Sequence, residues 1–163
     1  MKRIISLVLL FTMIWSLSAY AENTNLGIST ELLLTMYSGY LTPIGGPYMP
    51  LDISENEKSS TSIMKKLTRH CTISINQDSG MVSSFKLVSD EDDGSDERLE
   101  ELMMCFVGAI MLLNIDITFD DAADYLTRMI SNREEININN YHYRFISTQP
   151  ISTMIGLEVT PAI

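Results

Sequence analysis

A dense run of acidic residues at positions 89–97, SDEDDGSDE, is the stretch whose residue types are best suited to chemistry. Calcium binds several carboxylate and carbonyl oxygens from one tight loop, often with a glycine at the turn. With Gly94 at the sixth position of such a loop, the first position is Ser89, where an aspartate is needed. The spacing disfavours calcium. A solvated charge run that caps the following helix and a docking surface for a basic partner are the other two interpretations.

As a docking surface, the run would act through its densest local charge. Four consecutive acidic side chains are therefore assigned as candidate partner-binding residues: Asp90, Glu91, Asp92 and Asp93. Charges at the rim of an interface act mainly on the rate of encounter, so these residues would speed capture of a basic protein.

Two cysteines, Cys71 and Cys105, are the next candidates. In an oxidising compartment an even pair of cysteines predicts a disulfide, here closing a loop of about 35 residues and contributing roughly 3.5–4 kcal/mol in the chain-entropy model. Two buried free thiols are the alternative. His70 precedes Cys71, but a catalytic Cys–His pair would need the thiol unpaired, and neither CxxC nor HxxxH spacing occurs.

Other catalytic signatures are missing from the sequence. It contains no G-x-S-x-G nucleophile motif, phosphate-binding loop or dinucleotide fingerprint. Its eleven methionines include no Met-x-Met pair, so they favour adaptable core packing over copper binding. We therefore predict no catalytic, metal or cofactor site, and a protein that is not an enzyme.

The first 21 residues predict a secretory signal peptide. Lys2 and Arg3 precede an apolar stretch at 4–17, and Ala19-Tyr20-Ala21 forms a small-x-small cleavage site. An uncleaved N-terminal anchor is the alternative. Cleavage after Ala21 would place the mature chain in the periplasm and change its net charge from −10 to −12. Such acidity disfavours nucleic acid and anionic membrane as partners, and we expect no stable membrane insertion after cleavage.

The mature chain, residues 22–163, predicts a single α+β domain organised around one apolar segment. Leu99–Ile115 is apolar on all faces, which predicts a central helix buried all round. Thr118–Ile130 predicts a second, amphipathic helix with a capping box formed by Thr118 and Asp121. We expect an antiparallel sheet of four or five strands, in two hairpins, packed on these two helices.

The remaining elements follow from periodicity and turn residues. We predict helices at 28–40 and 61–70, and a hairpin of strands 71–75 and 81–88 whose inward residues include Met81 and Ser83. Segments 134–138, 141–148 and 151–160 are predicted to be extended, with a turn or bulge at Asn139-Asn140. The Pro- and Gly-rich segment 41–51 would lie over the core or form part of a binding surface.

These features together favour a binding protein. The leading hypothesis is an exported immunity or inhibitor protein that neutralises a basic, envelope-acting toxin or hydrolase by electrostatically steered capture. An envelope accessory or adaptor protein without an inhibitory role is the alternative, and an unrecognised hydrolase is a third.

Overall fold

The computed structural model of the protein describes residues 24–42, 55–89, 96–147 and 154–162. Three of the sequence predictions lie outside this part of the chain. They concern the signal peptide at 1–21, almost all of the Pro- and Gly-rich segment 41–51, and the candidate partner-binding residues Asp90, Glu91, Asp92 and Asp93.

The described residues form an α+β fold with a six-stranded antiparallel sheet. The strand order is β1-β2-β3-β6-β5-β4, so two three-stranded halves meet where β3 pairs with β6. The predicted fold class is confirmed, but the sheet has six strands rather than four or five. The strands are β1 (Ser62–Lys66), β2 (Cys71–Asp78), β3 (Met81–Ser89), β4 (Ile136–Ile138), β5 (Tyr141–Ser147) and β6 (Ile155–Pro161).

The additional strand is β1, and the helix predicted at 61–70 is wrong. Ile63 is buried and pairs with Ile75 of β2, whereas its neighbour Met64 is 68% exposed. This alternation has the period of two that a strand requires. Pairing with β2 overrides the helical spacing of the few apolar residues in this short segment, because strand formation depends mainly on its packing partners.

The helices are α1 (Thr30–Leu41), the single turn α2 (Glu55–Lys58), α3 (Asp96–Leu113) and α4 (Phe119–Asn132). The Ser29 hydroxyl accepts a hydrogen bond from the backbone N–H of Leu32 and caps α1. Thr118 and Asp121 form the predicted capping box of α4. Because these polar side chains satisfy backbone donors that have no partner inside the helix, they determine where both helices begin.

Helix α3 lies across one face of the sheet, where it packs on β2 and β3 and contacts α1 and α4. Its fully buried residues recur at helical spacing: Leu102, Cys105, Phe106, Ala109 and Ile110. The prediction of burial on all sides is wrong, because Leu99 is 53% exposed and Met103 and Met111 are half-buried. The sheet and two flanking helices leave the outer side of α3 partly uncovered by described elements.

Close packing of α1 on α3 depends on Gly108. A Cβ atom at this position would lie 2.7 Å from Cε1 of the Tyr40 ring, nearer than such carbon atoms approach in proteins. The missing side chain therefore makes room for the Tyr40 ring. On the same side of α1, Tyr37 is fully buried, packs edge-on against Phe85 and donates a 3.3 Å hydrogen bond to the Cys105 carbonyl oxygen.

The β2–β3 turn forms as predicted, with Ser79 and Gly80 at φ angles of 52° and 80°. The inward set of β3 residues differs from the prediction. A bulge opposite Asn76 and Gln77 shifts the register, so that Val82 is buried while Met81 and Ser83 are only half-buried. An extra residue in one strand reverses the alternation beyond it, and this bulge is not visible as a pattern in the sequence.

Candidate functional site

The predicted disulfide between Cys71 and Cys105 is not formed. Neither cysteine is in a disulfide and both are fully buried, which agrees with the alternative interpretation, two buried thiols. Cys71 begins β2, and Cys105 lies in the middle of α3. An even number of cysteines says nothing about the distance between their sulfur atoms. That distance is determined by how α3 packs on the sheet. Burial in this core, and then the charges that the thiols of Cys105 and Cys71 would carry, raise the pKa of Tyr37 well above its ordinary value.

The two histidines lie in different places, His70 in the connection between β1 and β2 and His142 on β5, and both have structural partners. The backbone N–H of His70, a buried residue, donates to Oε2 of Glu101 at 3.1 Å. His142 lies on β5, with Nδ1 2.7 Å from Oδ1 of Asn137 and Nε2 3.2 Å from the Glu135 carboxylate. Among the described residues, no three His, Cys, Asp or Glu side chains are grouped so that they could hold a metal ion.

Two surface clefts are candidate substrate sites. One, of about 450 Å³, lies between α4 and β5 and is lined by Ile130, Arg133, Phe145 and Ser147. The other, of about 390 Å³, lies at the start of α1 and includes Thr30, whose buried hydroxyl is 2.5 Å from Oε1 of Gln77. The second cleft is also lined by Ser29, Ser79, Glu31 and Lys58. The described hydrogen bonds of its hydroxyl groups are made with Gln77, the Leu32 N–H and Asp78, and none joins a hydroxyl to the Glu31 carboxylate.

Charge is divided unequally between the two layers. The segment 96–132, which contains α3 and α4, has eight acidic residues and two arginines, a net charge of −6. The six strands contain four basic and two acidic residues, a net charge of +2. Of these two parts, the helical segment carries the excess of acidic residues and the strands carry a small excess of basic ones.

The most exposed large apolar residue lies at the turn between α3 and α4. Ile115 is 91% exposed, and Phe119, at the start of α4, is 46% exposed. Phe119 shares the helical spacing of the buried residues Ala122, Leu126 and Met129, but as the first residue of α4 it remains nearly half exposed. We call the turn and first helical residues, 114–124, the α3–α4 corner.

Hydrogen bonds hold the α3–α4 corner in one conformation. The N–H of Ile117 donates to the Asn114 carbonyl oxygen at 3.0 Å, closing a turn that has Ile115 at its tip. The buried Asn114 amide donates at 2.8 Å to the Tyr143 hydroxyl, and its Oδ1 accepts from Asn139 at 2.7 Å. The corner is thereby fixed to β5 and to the β4–β5 turn.

Exposed acidic side chains surround the apolar pair of the corner: Asp116, Asp120, Asp121 and Asp124. The Asp121 carboxylate completes the capping box. Arg128, the nearest basic residue along α4, is bound to Glu134 at 2.7 Å instead. The corner thus presents two apolar side chains within a negatively charged rim.

The opposite face of the sheet has a different character. Register places Lys86, Glu158 and Arg144 side by side in the centre of the face that points away from the helices. Glu158 accepts hydrogen bonds from both cations, and its side chain is only 13% exposed. Burial alone would raise the pKa of Glu158, but the hydrogen bonds and charges of Lys86 and Arg144 outweigh burial and lower it.

The corner illustrates which functional candidates are difficult to find in a sequence. An isoleucine between two helices is unremarkable as a pattern, and Asp116-Ile117 is interpreted only as a break. One feature of the sequence could have identified the exposed isoleucine. Ile115 directly precedes Asp116 in the break between two predicted helices, where a polar residue is expected.

Comparison of the chain with protein-family models, with curated proteins and with solved structures found no match. In the described part of the chain, no helix is both long and apolar enough to cross a membrane. The functional argument therefore rests on the geometry and charge of this chain.

Proposed function

We propose that this is an exported protein that binds another protein, and that its partner is basic. The division of charge between the layers is the observation that carries the proposal, because it concentrates a net charge of −6 in the segment 96–132. A surface of one sign attracts an oppositely charged protein and raises its rate of association.

In its specific form the proposal is an immunity or inhibitor protein of the periplasm that neutralises a basic, envelope-acting toxin or hydrolase. The predicted signal peptide supports the compartment, and the acidity supports rapid capture. An accessory or adaptor role is the second candidate, which the same charge distribution supports equally. A hydrolase is the third candidate and the least favoured, because no described hydrogen bond joins a hydroxyl that lines either cleft to the Glu31 carboxylate.

The test measures association between the immobilised protein and basic proteins of an envelope extract at about 0.05 M and about 0.5 M salt, where screening lengths differ about threefold. Retention of proteins with high isoelectric points at low salt, and their release at high salt, is the expected result. Retention that ignores both isoelectric point and salt contradicts the proposal.

The acidic loop is tested in the same assay. Replacing Asp90, Glu91, Asp92 and Asp93 by Asn or Gln is expected to slow association and to reduce its salt dependence, with little effect on folding. The control variant neutralises two exposed carboxylates elsewhere, Glu31→Gln and Asp78→Asn, and is expected to retain most of the association rate. Unchanged association of the loop variant at low salt would limit the loop to a solubilising role.

A further inference from the structure

We propose that the α3–α4 corner is a contact surface for the partner, with Ile115 and Phe119 as its anchors, and that the partner presents an apolar pocket rimmed by lysine or arginine. This inference rests on the proposed function, because it assigns a surface to the same binding activity.

The exposure of Ile115 is the first argument. A side chain that is 91% exposed contributes almost nothing to the core, and a polar residue would serve the turn as well. Phe119, 46% exposed, lies four residues further along the chain and adds exposed aromatic surface to the same corner. A few large side chains that become buried at the centre of an interface supply most of its binding energy, and Ile115 and Phe119 are the exposed large apolar residues of the corner.

The rigidity of the corner is the second argument. Side chains that are already held in place lose little conformational freedom when a partner covers them, so more of the contact energy appears as affinity. The turn at Ile115 is closed by the Asn114–Ile117 hydrogen bond, and Asn114 is itself tied to Tyr143. The position of Ile115 is therefore set by the buried residue that directly precedes it.

Charge complementarity identifies the chemistry of the partner. Asp116, Asp120 and Asp124 are exposed around the anchors, and no described ion pair involves any of them. Apolar centres with charged rims are typical of protein interfaces, and an aspartate rim favours lysine and arginine on the opposite surface. An acidic rim would be repelled, and a neutral rim would gain no electrostatic attraction.

The corner lies at the opposite end of α3 from Asp96, the first residue of this helix. Helix α3 has 18 residues, and its length is about 27 Å at 1.5 Å per residue. This distance exceeds the screening length of about 8 Å at physiological salt, so changes at one end of α3 should leave the field at the other end nearly unaltered. Substitutions at the corner can therefore be tested without altering the field at the start of α3.

The experiment places p-benzoylphenylalanine, a photo-crosslinking residue, at position 115 of the full chain expressed in its own cells. Irradiation is expected to yield one adduct with a basic polypeptide, which the triple variant Asp116→Asn, Asp120→Asn, Asp124→Asn abolishes. The matched control carries the same residue at position 64, because Met64 is also exposed but lies on the basic sheet. It is expected to yield no such adduct.

Affinity for the crosslinked partner then separates the corner from the rest of the surface. Ile115→Ser with Phe119→Ser is expected to weaken binding at least about tenfold, whereas Met64→Ser changes it less than twofold. If the unaltered protein retains basic proteins but the corner variant binds them equally well, the corner assignment is wrong and the proposed function stands. If the unaltered protein retains no basic protein at any salt concentration, both fail.

Discussion

The Asn114 side-chain amide donates a 2.8 Å hydrogen bond to the Tyr143 hydroxyl, and this contact joins the end of α3 to the middle of β5. The same amide donates to the Ile110 carbonyl oxygen at 2.8 Å, and the side-chain oxygen Oδ1 of Asn114 accepts from the Asn139 side chain. One buried side chain therefore connects a helix end, a strand and a hairpin turn.

Asn114→Ala is expected to lower the free energy of unfolding by about 1–3 kcal/mol, because it leaves the buried Tyr143 hydroxyl without its donor. Chemical denaturation measures the change. In a Tyr143→Phe background the same substitution should cost less, since one of the partners is already gone. Equal costs in both backgrounds would show that the two side chains are not coupled.

Gly108→Ala is expected to destabilise the protein, although alanine is favoured over glycine inside a helix by about 1 kcal/mol. The new Cβ atom would lie 2.7 Å from the Tyr40 ring and force α1 away from α3. In a Tyr40→Ala background the clash disappears and Gly108→Ala should become stabilising. Tyr40→Phe keeps the ring, so in that background the penalty should persist. Thermal unfolding of the six proteins tests the sign of each effect.

The pairing of Glu158 with Lys86 and Arg144 predicts a pH dependence of stability. Because the pKa of Glu158 is lowered from 4.5 in the folded protein, its contribution is present at neutral pH and is lost as the pH falls below that value. The difference in unfolding free energy between the unaltered protein and Glu158→Gln should therefore shrink between about pH 5 and pH 3.

The control for this measurement removes the cations instead. Combining Lys86→Met with Arg144→Met eliminates both hydrogen bonds to Glu158. In this background Glu158→Gln should no longer lower the free energy of unfolding at neutral pH, so there should be no difference left to shrink as the pH falls. If Glu158→Gln still lowers the free energy of unfolding in that background, and this loss still shrinks by the original amount on acidification, then groups other than Lys86 and Arg144 lower the pKa of Glu158.

Thiol titration tests the state of the cysteines. Both are fully buried and neither is in a disulfide, so a disulfide reagent should react with neither at an appreciable rate in the native protein and with two thiols in denaturant without reductant. Cys71→Ala should leave one reactive thiol. Absence of reactive thiols in denaturant would show that the two cysteines are joined in the isolated protein.

Most of the fold follows from sequence periodicity because its long elements bury one side against a common core. The helices α1, α3 and α4 and the β2–β3 hairpin are recognisable in this way. The short strand β1 is not, because a pairing partner and not its own residues determines its conformation. The bulge that brings Val82 inward and the exposure of Phe119 depend on how elements meet, which no local pattern records.

The candidate surfaces likewise include features that the sequence shows and features that only the structure shows. Acidity is visible in the sequence, and so is the concentration of charge at Asp90–Asp93. The grouping of Lys86, Glu158 and Arg144 on one face becomes visible only when the pairing register of β3, β5 and β6 is known. Exposure of Ile115 requires knowledge of where α3 ends and how the turn is held. A cysteine pair can be counted, but only packing determines whether the sulfurs meet.

The pairing of β3 with β6 has a consequence for assembly of the chain. Partners such as Leu87 and Leu157 are 70 residues apart, so this pairing has the largest sequence separation of any in the sheet and the highest entropic cost of closure. Until β6 arrives, β3 and β5 are open edges with unpaired backbone groups, and such edges recruit strands from other chains. A chain truncated before β6 should therefore aggregate rather than fold into two independent halves.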